Sequence, residues 1–185
     1  EEADGSQYTY AVAFCILALA SALTVGLGGD DAKALEIAIR TDLELLWNWA
    51  ETRFYDAAGQ LYVDQFTSRD ATAPTAYRGQ NCNMHMCEAL LFAHRACPDE
   101  TKYLRRSYGI AKRITKDLAI DERCGGRATL WEHFNAKWEP DYAFNAEAPK
   151  GSEEYMFRPW GLQPGHFFEW SKLLIQLDDA FAEVG

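Results

Sequence analysis

Apolar and polar positions along this chain fall into long helical periods broken by short aromatic runs. Residues 8–28 hold no charged side chain, which predicts a first helix, Tyr8–Val25, apolar around its whole circumference and stopped by Gly26, Gly28 and Gly29. Asp30 or Asp31 is of the N-cap type, and beyond it Leu35, Ile39, Leu43, Leu46 and Ala50 form the single stripe of an amphipathic second helix. In Phe54–Phe66 two aromatic runs flank Ala57-Ala58-Gly59, the signature of a small hairpin. After a polar loop, Thr67–Thr75, a helix is predicted from about Asn81, with His85, Glu88 and Phe92 on one face and Cys87, Leu91 and His94 on another. Pro98-Asp99 opens the next helix. Tyr103, Ile110 or Ala111, Ile114 and Leu118 form its buried stripe, and Lys102, Arg105, Arg106, Lys112, Arg113 and Lys116 its solvated face. Gly125-Gly126 reads as a turn. Residues 130–145 interleave aromatic and polar side chains, which predicts a second hairpin, and Lys150–Glu154 reads as a loop. The turn Gln163-Pro164-Gly165 leads into a last helix, Phe167–Phe181, whose buried face carries Trp170, Leu173, Leu174 and Leu177.

The order helix, helix, hairpin, helix, helix, hairpin, helix contains no βαβ unit and no glycine-rich nucleotide loop. It predicts an all-α architecture of packed helix pairs with short β-hairpins between them, one domain over residues 1–185. The uncharged first helix raises a membrane or leader reading. It is interrupted by Thr9, Ser21, Thr24 and Gly26, and it follows the acidic Glu1, Glu2 and Asp4 rather than a basic segment. A buried core helix is the reading adopted. Such a helix needs neighbours on every side, more than the remaining helices supply, so the chain reads as an internal piece of a larger helical protein, with self-association through exposed helix faces expected.

With 18 basic and 28 acidic side chains the formal net charge is −10, which argues against nucleic acid or an anionic membrane as partner. The five cysteines are odd in number and irregularly spaced, with no CxxC pair, so they support neither a zinc knuckle nor a disulfide framework. Reduced thiols in the cytoplasm fit best.

Two His-x-x-Glu pairs, His85/Glu88 and His166/Glu169, each place an imidazole and a carboxylate on one helical face. His166 stands at a helix N-terminus, where partial positive charge disfavours imidazolium, so a neutral histidine able to accept a proton near pH 7 is expected. Three readings are open: a proton-transfer site, a metal site, or buried histidines satisfied by their own carboxylates. The di-iron pattern has the reverse order, Glu-x-x-His, with further glutamates, and none is evident here. No transition metal and no cofactor are expected. His133 is placed to line the same cavity. Arg78 and Arg158 precede the two pairs and are candidates for holding an oxyanion, with a structural ion pair as the alternative.

Four segments then point one way. Tyr77-Arg78-Gly79-Gln80-Asn81-Cys82-Asn83-Met84-His85 with Glu88-Ala89 resembles the N-acylglucosamine 2-epimerase superfamily. So do Glu132-His133-Phe134 with Trp138, Asp141-Tyr142 with Asn145, and Phe157-Arg158 through Gln163-Pro164-Gly165-His166 with Glu169-Trp170. The pattern looks closest to the aldose–ketose isomerase branch, acting on mannose or sulfoquinovose, with the N-acylglucosamine epimerases (renin-binding proteins) next.

The resemblance implies an (α/α)6 toroid of which this chain is part, a monosaccharide in its central cavity, and proton transfer through an enediol without metal. By motif, His166 resembles a catalytic histidine with Glu169 beside it. His85 and Arg158 resemble sugar contacts, and Asn83, Arg78, His133 and Trp160 are expected to bind substrate with them. The family's other catalytic histidine belongs to a later helix. Where relatives carry a histidine in the first helix, this chain has Val12. On these grounds the chain by itself is expected to be catalytically weak, and a non-catalytic sugar-binding or interaction module is the rival reading.

Overall fold

A computed structural model describes residues 5–184. Its α-helices are α1 (Thr9–Val25), α2 (Ala32–Arg53), α3 (Gln80–Ala96), α4 (Thr101–Lys112), α5 (Glu153–Phe157) and α6 (Pro164–Val184). Eight two-residue strands punctuate them: β1 (Gln7–Tyr8), β2 (Tyr55–Asp56), β3 (Leu61–Tyr62), β4 (Gln65–Phe66), β5 (Arg78–Gly79), β6 (Ile120–Asp121), β7 (Arg127–Ala128) and β8 (His133–Phe134). A π-helical turn, Arg113–Asp117, prolongs α4.

Helices α1, α3 and α6 lie side by side and begin at the same end. Tyr10 and Phe14, early in α1, touch His85 of α3, and Gln80, the first residue of α3, bonds to His166 and Trp170 at the start of α6. Helices α2 and α4 form the outer layer. Lys102 and Arg106 of α4 pair with Glu44 and Glu51 of α2, and Trp47 meets Tyr103 edge to face at 5.3 Å. Helices α1 and α3 thus each hand over to an outer helix through a short connection, the repeating unit of an (α/α)6 toroid, of which this chain forms a part.

The amphipathic stripes place the core. Val12, Ala13, Ile16 and Ala20 of α1, Leu43, Trp47 and Ala50 of α2, and Trp170, Leu173, Leu177 and Ala180 of α6 are buried in one apolar cluster with most of α3. Helix α1 departs from its expected all-round burial: Tyr10 and Phe14 are 45% and 39% exposed. The N-terminal half of α2 departs likewise, since its stripe is covered only from Leu43 onward and Leu35 and Ile37 face outward. Among the described residues no helix is long and apolar enough to cross a membrane.

The hairpin around Gly59 forms as expected, β2 against β3. A β-carbon at Gly59 would fall 2.0 Å from the Trp138 indole nitrogen, so the close approach of Trp138 requires glycine there. The second expected hairpin forms differently. Strand β8 pairs with β5, more than fifty residues earlier, and only the bridge Phe134–Pro140 remains of a local return. That long-range pairing carries no local turn signal. Around Gly125-Gly126, both at positive φ, β6 and β7 make a further hairpin. Within the segment expected as loop, Ser152 caps the short helix α5 by accepting from the Tyr155 amide.

Candidate active site

The site is built where the inner helices begin. Strand β5 runs straight into α3 through extended Gly79, and pairing with β8 sets Gln80 beside Glu132, with the Gln80 amide donating to the Glu132 carbonyl at 3.1 Å. A β-carbon on Gly79 would sit 2.7 Å from the Tyr77 hydroxyl and 2.9 Å from Asp64 Oδ1, so this junction needs glycine for close packing.

His166 occupies the first turn of α6, its amide bonded to the Gln163 carbonyl. Its Nδ1 lies 2.9 Å from Glu132 Oε2. Gln80 Nε2 is 2.8 Å from that same oxygen and 2.8 Å from Nδ1, and the Trp170 indole donates to Gln80 Oε1 at 2.6 Å. The partner of His166 is therefore Glu132, from a segment remote in sequence. Glu169, on the same helix, acts on it through charge. Burial opposes the imidazolium, but the Glu132 hydrogen bond and the two carboxylate charges outweigh it, and the His166 pKa lies above its usual value. The sequence-based expectation ran the other way, because it weighed the helix N-terminus without the buried carboxylate.

His85 sits on α3, half-buried under Tyr10 and Phe14, with ring centroids 5.1 and 4.9 Å away. Glu88 stands 3.4 Å from its Nδ1 and accepts from Lys172 of α6 at 2.6 Å. The His85 and Lys172 contacts hold the Glu88 carboxyl down to about 2. This pair has the expected i+3 geometry and also ties α3 to α6.

The remaining candidates divide. The Arg158 guanidinium lies over the Tyr77 ring at 4.1 Å, and Asn145 Nδ2 donates to the Arg158 carbonyl at 2.9 Å. Trp160 is 43% exposed at the rim, its indole bonded to the Tyr142 carbonyl. His133, by contrast, is buried with both ring nitrogens engaged: Nε2 donates to the Pro159 carbonyl at 2.9 Å and the Tyr77 hydroxyl bonds to Nδ1 at 3.0 Å. Burial depresses its pKa. It holds the loop that presents Arg158 and offers a ligand no free nitrogen. Arg78 is buried too, donating to the Thr75 and Tyr77 carbonyls. Asn83 is fully buried, its amide accepting from the Tyr62 N–H at 2.8 Å and donating to the Tyr62 carbonyl at 2.9 Å. These three brace the site from behind. Gln80, Glu132 and Trp170, which the sequence placed in motifs without a role, form the immediate surroundings of His166.

Asp64 lies beneath the β5–α3 junction and accepts from the Gly79 amide at 2.6 Å. Burial, opposed by that bond and by Arg158 and Arg78, lifts its pKa to about 7. A carboxyl raised from 3.8 stabilises the fold fully below pH 3.8, and that contribution is lost as pH rises through about 7. We expect urea unfolding to show stability falling between about pH 4 and pH 7, with Asp64→Asn flattening the slope. An unchanged slope in that variant would assign the pH dependence elsewhere.

Among the described residues, no three His, Cys, Asp or Glu side chains gather to hold one metal ion. Two surface concavities, about 360 Å³ beside Asn145 and Glu154 and about 510 Å³ beside Arg40 and Cys97, are not lined by the histidines.

The geometry has counterparts among known proteins. D-mannose isomerase of Marinomonas mediterranea is 40% identical over 175 residues, covering 95% of this chain and 40% of the relative. D-mannose isomerase of Thermobifida fusca is 29% identical over 181 residues, covering 98% of this chain and 40% of the relative. A crystal structure of D-mannose isomerase superposes with a TM-score of 0.77 at 38% identity, over 94% of this chain and 40% of that one. Cellobiose 2-epimerase from Spirochaeta thermophila shares the fold, with a TM-score of 0.66 at 19% identity over 93% of this chain and 37% of that one. The chain thus spans about two fifths of the length of the curated relatives it matches. The family model for N-acylglucosamine 2-epimerase (GlcNAc 2-epimerase) matches residues 1–183, and the chain belongs to that family.

Proposed function

We propose that this chain forms the His166 half of a sugar isomerase that interconverts an aldose and its ketose, of the mannose–fructose type, by metal-free proton transfer. The observation that carries the reading is the half-buried His166 held against Glu132 at 2.9 Å in the first turn of α6. The name of the 40%-identical relative, D-mannose isomerase, supports this substrate class. In this reading His166 takes the C2 proton of the open-chain aldose. The electron pair left at C2 forms the C1–C2 double bond of an enediol as O1 gains a proton. Return of a proton to C1 and loss of one from O2 give the ketose. Charge develops on O1 and O2, where Arg158 and His85 are the donors at hand. A base on one face suffices for this reaction, whereas 2-epimerisation needs a second group across the sugar. The carboxylates beside both histidines are already engaged, Glu132 by His166 and Gln80 and Glu88 by His85 and Lys172, which favours proton transfer over metal ligation. Exposed Phe168 and Ile175 on α6 and Leu35 and Ile37 on α2 are the surfaces for self-association in the same reading, and the free thiols accord with a cytoplasmic setting.

One observation favours the non-catalytic alternative: Val12 is buried in the apolar core and brings no polar group to the site. The test replaces the matching two fifths of the Marinomonas mediterranea enzyme with this chain and follows deuterium entry at C2 of the aldose and C1 of the ketose in D2O. D-mannose, D-fructose, D-glucose and N-acetyl-D-mannosamine are offered in turn. Exchange with mannose and fructose is expected. A folded, monodisperse graft that exchanges none of them, beside an active parent, would establish the non-catalytic reading.

A further inference from the structure

We infer that Trp170, Gln80 and Glu132 form a hydrogen-bond relay that fixes the tautomer of His166, with the proton on Nδ1 and the lone pair on Nε2. Glu132 and Gln80 are then positioning residues for the base. The catalytic consequence rests on the function proposed above, but the relay itself does not.

Each link follows from what its side chain can do. The indole N–H of Trp170 only donates, and Trp170 is 1% exposed, so it needs an acceptor inside the protein. It finds one in Gln80 Oε1 at 2.6 Å. That bond orients the Gln80 amide, since the reverse orientation would set its NH2 against the indole N–H. The NH2 group therefore points to the far side, where Glu132 Oε2 accepts at 2.8 Å. An ionised carboxylate only accepts. His166 Nδ1, 2.9 Å from the same Oε2, must supply a proton, because a lone pair there would face the carboxylate charge. Gln80 Nε2 and His166 Nδ1 lie 2.8 Å apart, both within hydrogen-bond distance of that oxygen.

The surroundings leave this arrangement few alternatives. Gln80, Glu132 and Trp170 are all buried, and the backbone bond from Gln80 to Glu132 holds their side chains in register. Glu132 Oε1 is buried and meets no donor among the described residues, so the donors on Oε2 are what hold the carboxylate. The charged groups acting on His166 are Glu132 from the β8 segment and Glu169 from its own helix. A free histidine side chain prefers the proton on Nε2. The relay inverts that preference and turns the basic nitrogen away from Glu132.

Nitrogen-15 NMR of histidine-labelled chain tests this, with the His166 signals assigned from His166→Asn. In the neutral form Nδ1 should show the shift of a protonated ring nitrogen and Nε2 that of a bare one, with a titration midpoint above 6.5. Glu132→Gln keeps the size of the side chain but lets an amide donate to Nδ1. It should return the proton to Nε2 and move the midpoint down. Trp170→Phe frees the Gln80 amide and should mix the tautomers, and it serves if Glu132→Gln does not fold. A neutral His166 protonated on Nε2 in the unsubstituted chain, or a tautomer and midpoint unmoved in the substituted chains, would overturn the relay. In the active graft, Glu132→Gln should lower kcat by about 10⁴-fold, the scale seen when a carboxylate orienting a catalytic histidine becomes an amide. Its acidic limb should shift to lower pH. NMR as described with no C2 exchange in any graft would leave the relay standing and remove the proposed function.

Discussion

Replacing His166 by asparagine in the graft is expected to lower C2 exchange by about 10²- to 10⁴-fold, the usual contribution of a general base. Asparagine fits the space and keeps a donor for Glu132 Oε2, so the carboxylate that now receives His166 Nδ1 at 2.9 Å stays partnered. What disappears is the second ring nitrogen. The side chain is half-buried at the first turn of α6, and the helix depends for its packing on Trp170, Leu173 and Leu177, which the substitution does not touch. Stability should therefore change by no more than about 1 kcal/mol, within the range of substitutions away from the core. Deuterium incorporation followed by NMR, with the unfolding midpoint as control, decides the matter. Undiminished exchange in a folded variant would mean that another group is the base.

This expectation could be written from sequence because His166 carries local signals: a Gln-Pro-Gly turn before it, a helical apolar face after it, and a carboxylate three residues on. The helices were legible for the same reason. The α1 and α2 periods and the Gly59 turn are short-range patterns, and the structure reproduces them within a residue or two. Long-range pairing was not legible. Nothing between Arg78 and Phe134 announces that β5 and β8 pair, yet that ladder brings Glu132 to His166 and buries His133. One local signal was available. Successive residues of an extended segment point to opposite sides, so Glu132 and His133 were not both suited to face the site. Interleaved aromatic and polar residues said that one side was buried without saying which. The same blindness affects charge. A helix N-terminus can be seen from sequence and depresses a histidine pKa, while the stronger opposing carboxylate came from 34 residues away. Exposed Tyr10 and Phe14 illustrate the converse, since an apolar period marks surface that can be buried and does not say what lies against it.

The second large effect concerns Asn83, whose side-chain amide is engaged by buried backbone groups. Asn83→Ala is expected to destabilise the chain by about 3–7 kcal/mol. The Asn83 amide closes both polar groups of the Tyr62 backbone, accepting from its N–H at 2.8 Å and donating to its carbonyl at 2.9 Å. It also donates to the Gly79 carbonyl at 3.2 Å, which fixes the β5–α3 junction beside Gln80. Tyr62 and Asn83 are both fully buried, so no water replaces the lost partner. Leaving a buried backbone donor and acceptor unpaired costs about 1–3 kcal/mol each, and the space vacated by the amide adds about 1 kcal/mol. Total stabilities are typically about 5–15 kcal/mol, so the variant sits near the edge of folding at room temperature. Asn83→Asp gives a graded control. It still accepts from the Tyr62 N–H, cannot donate to the carbonyl when ionised, and should recover part of its stability at low pH, where the protonated acid donates again. Urea unfolding of the three chains at pH 5 and pH 7.5 measures this. Stability close to the unsubstituted chain in Asn83→Ala, with weakened sugar affinity in the graft, would make Asn83 a substrate contact after all.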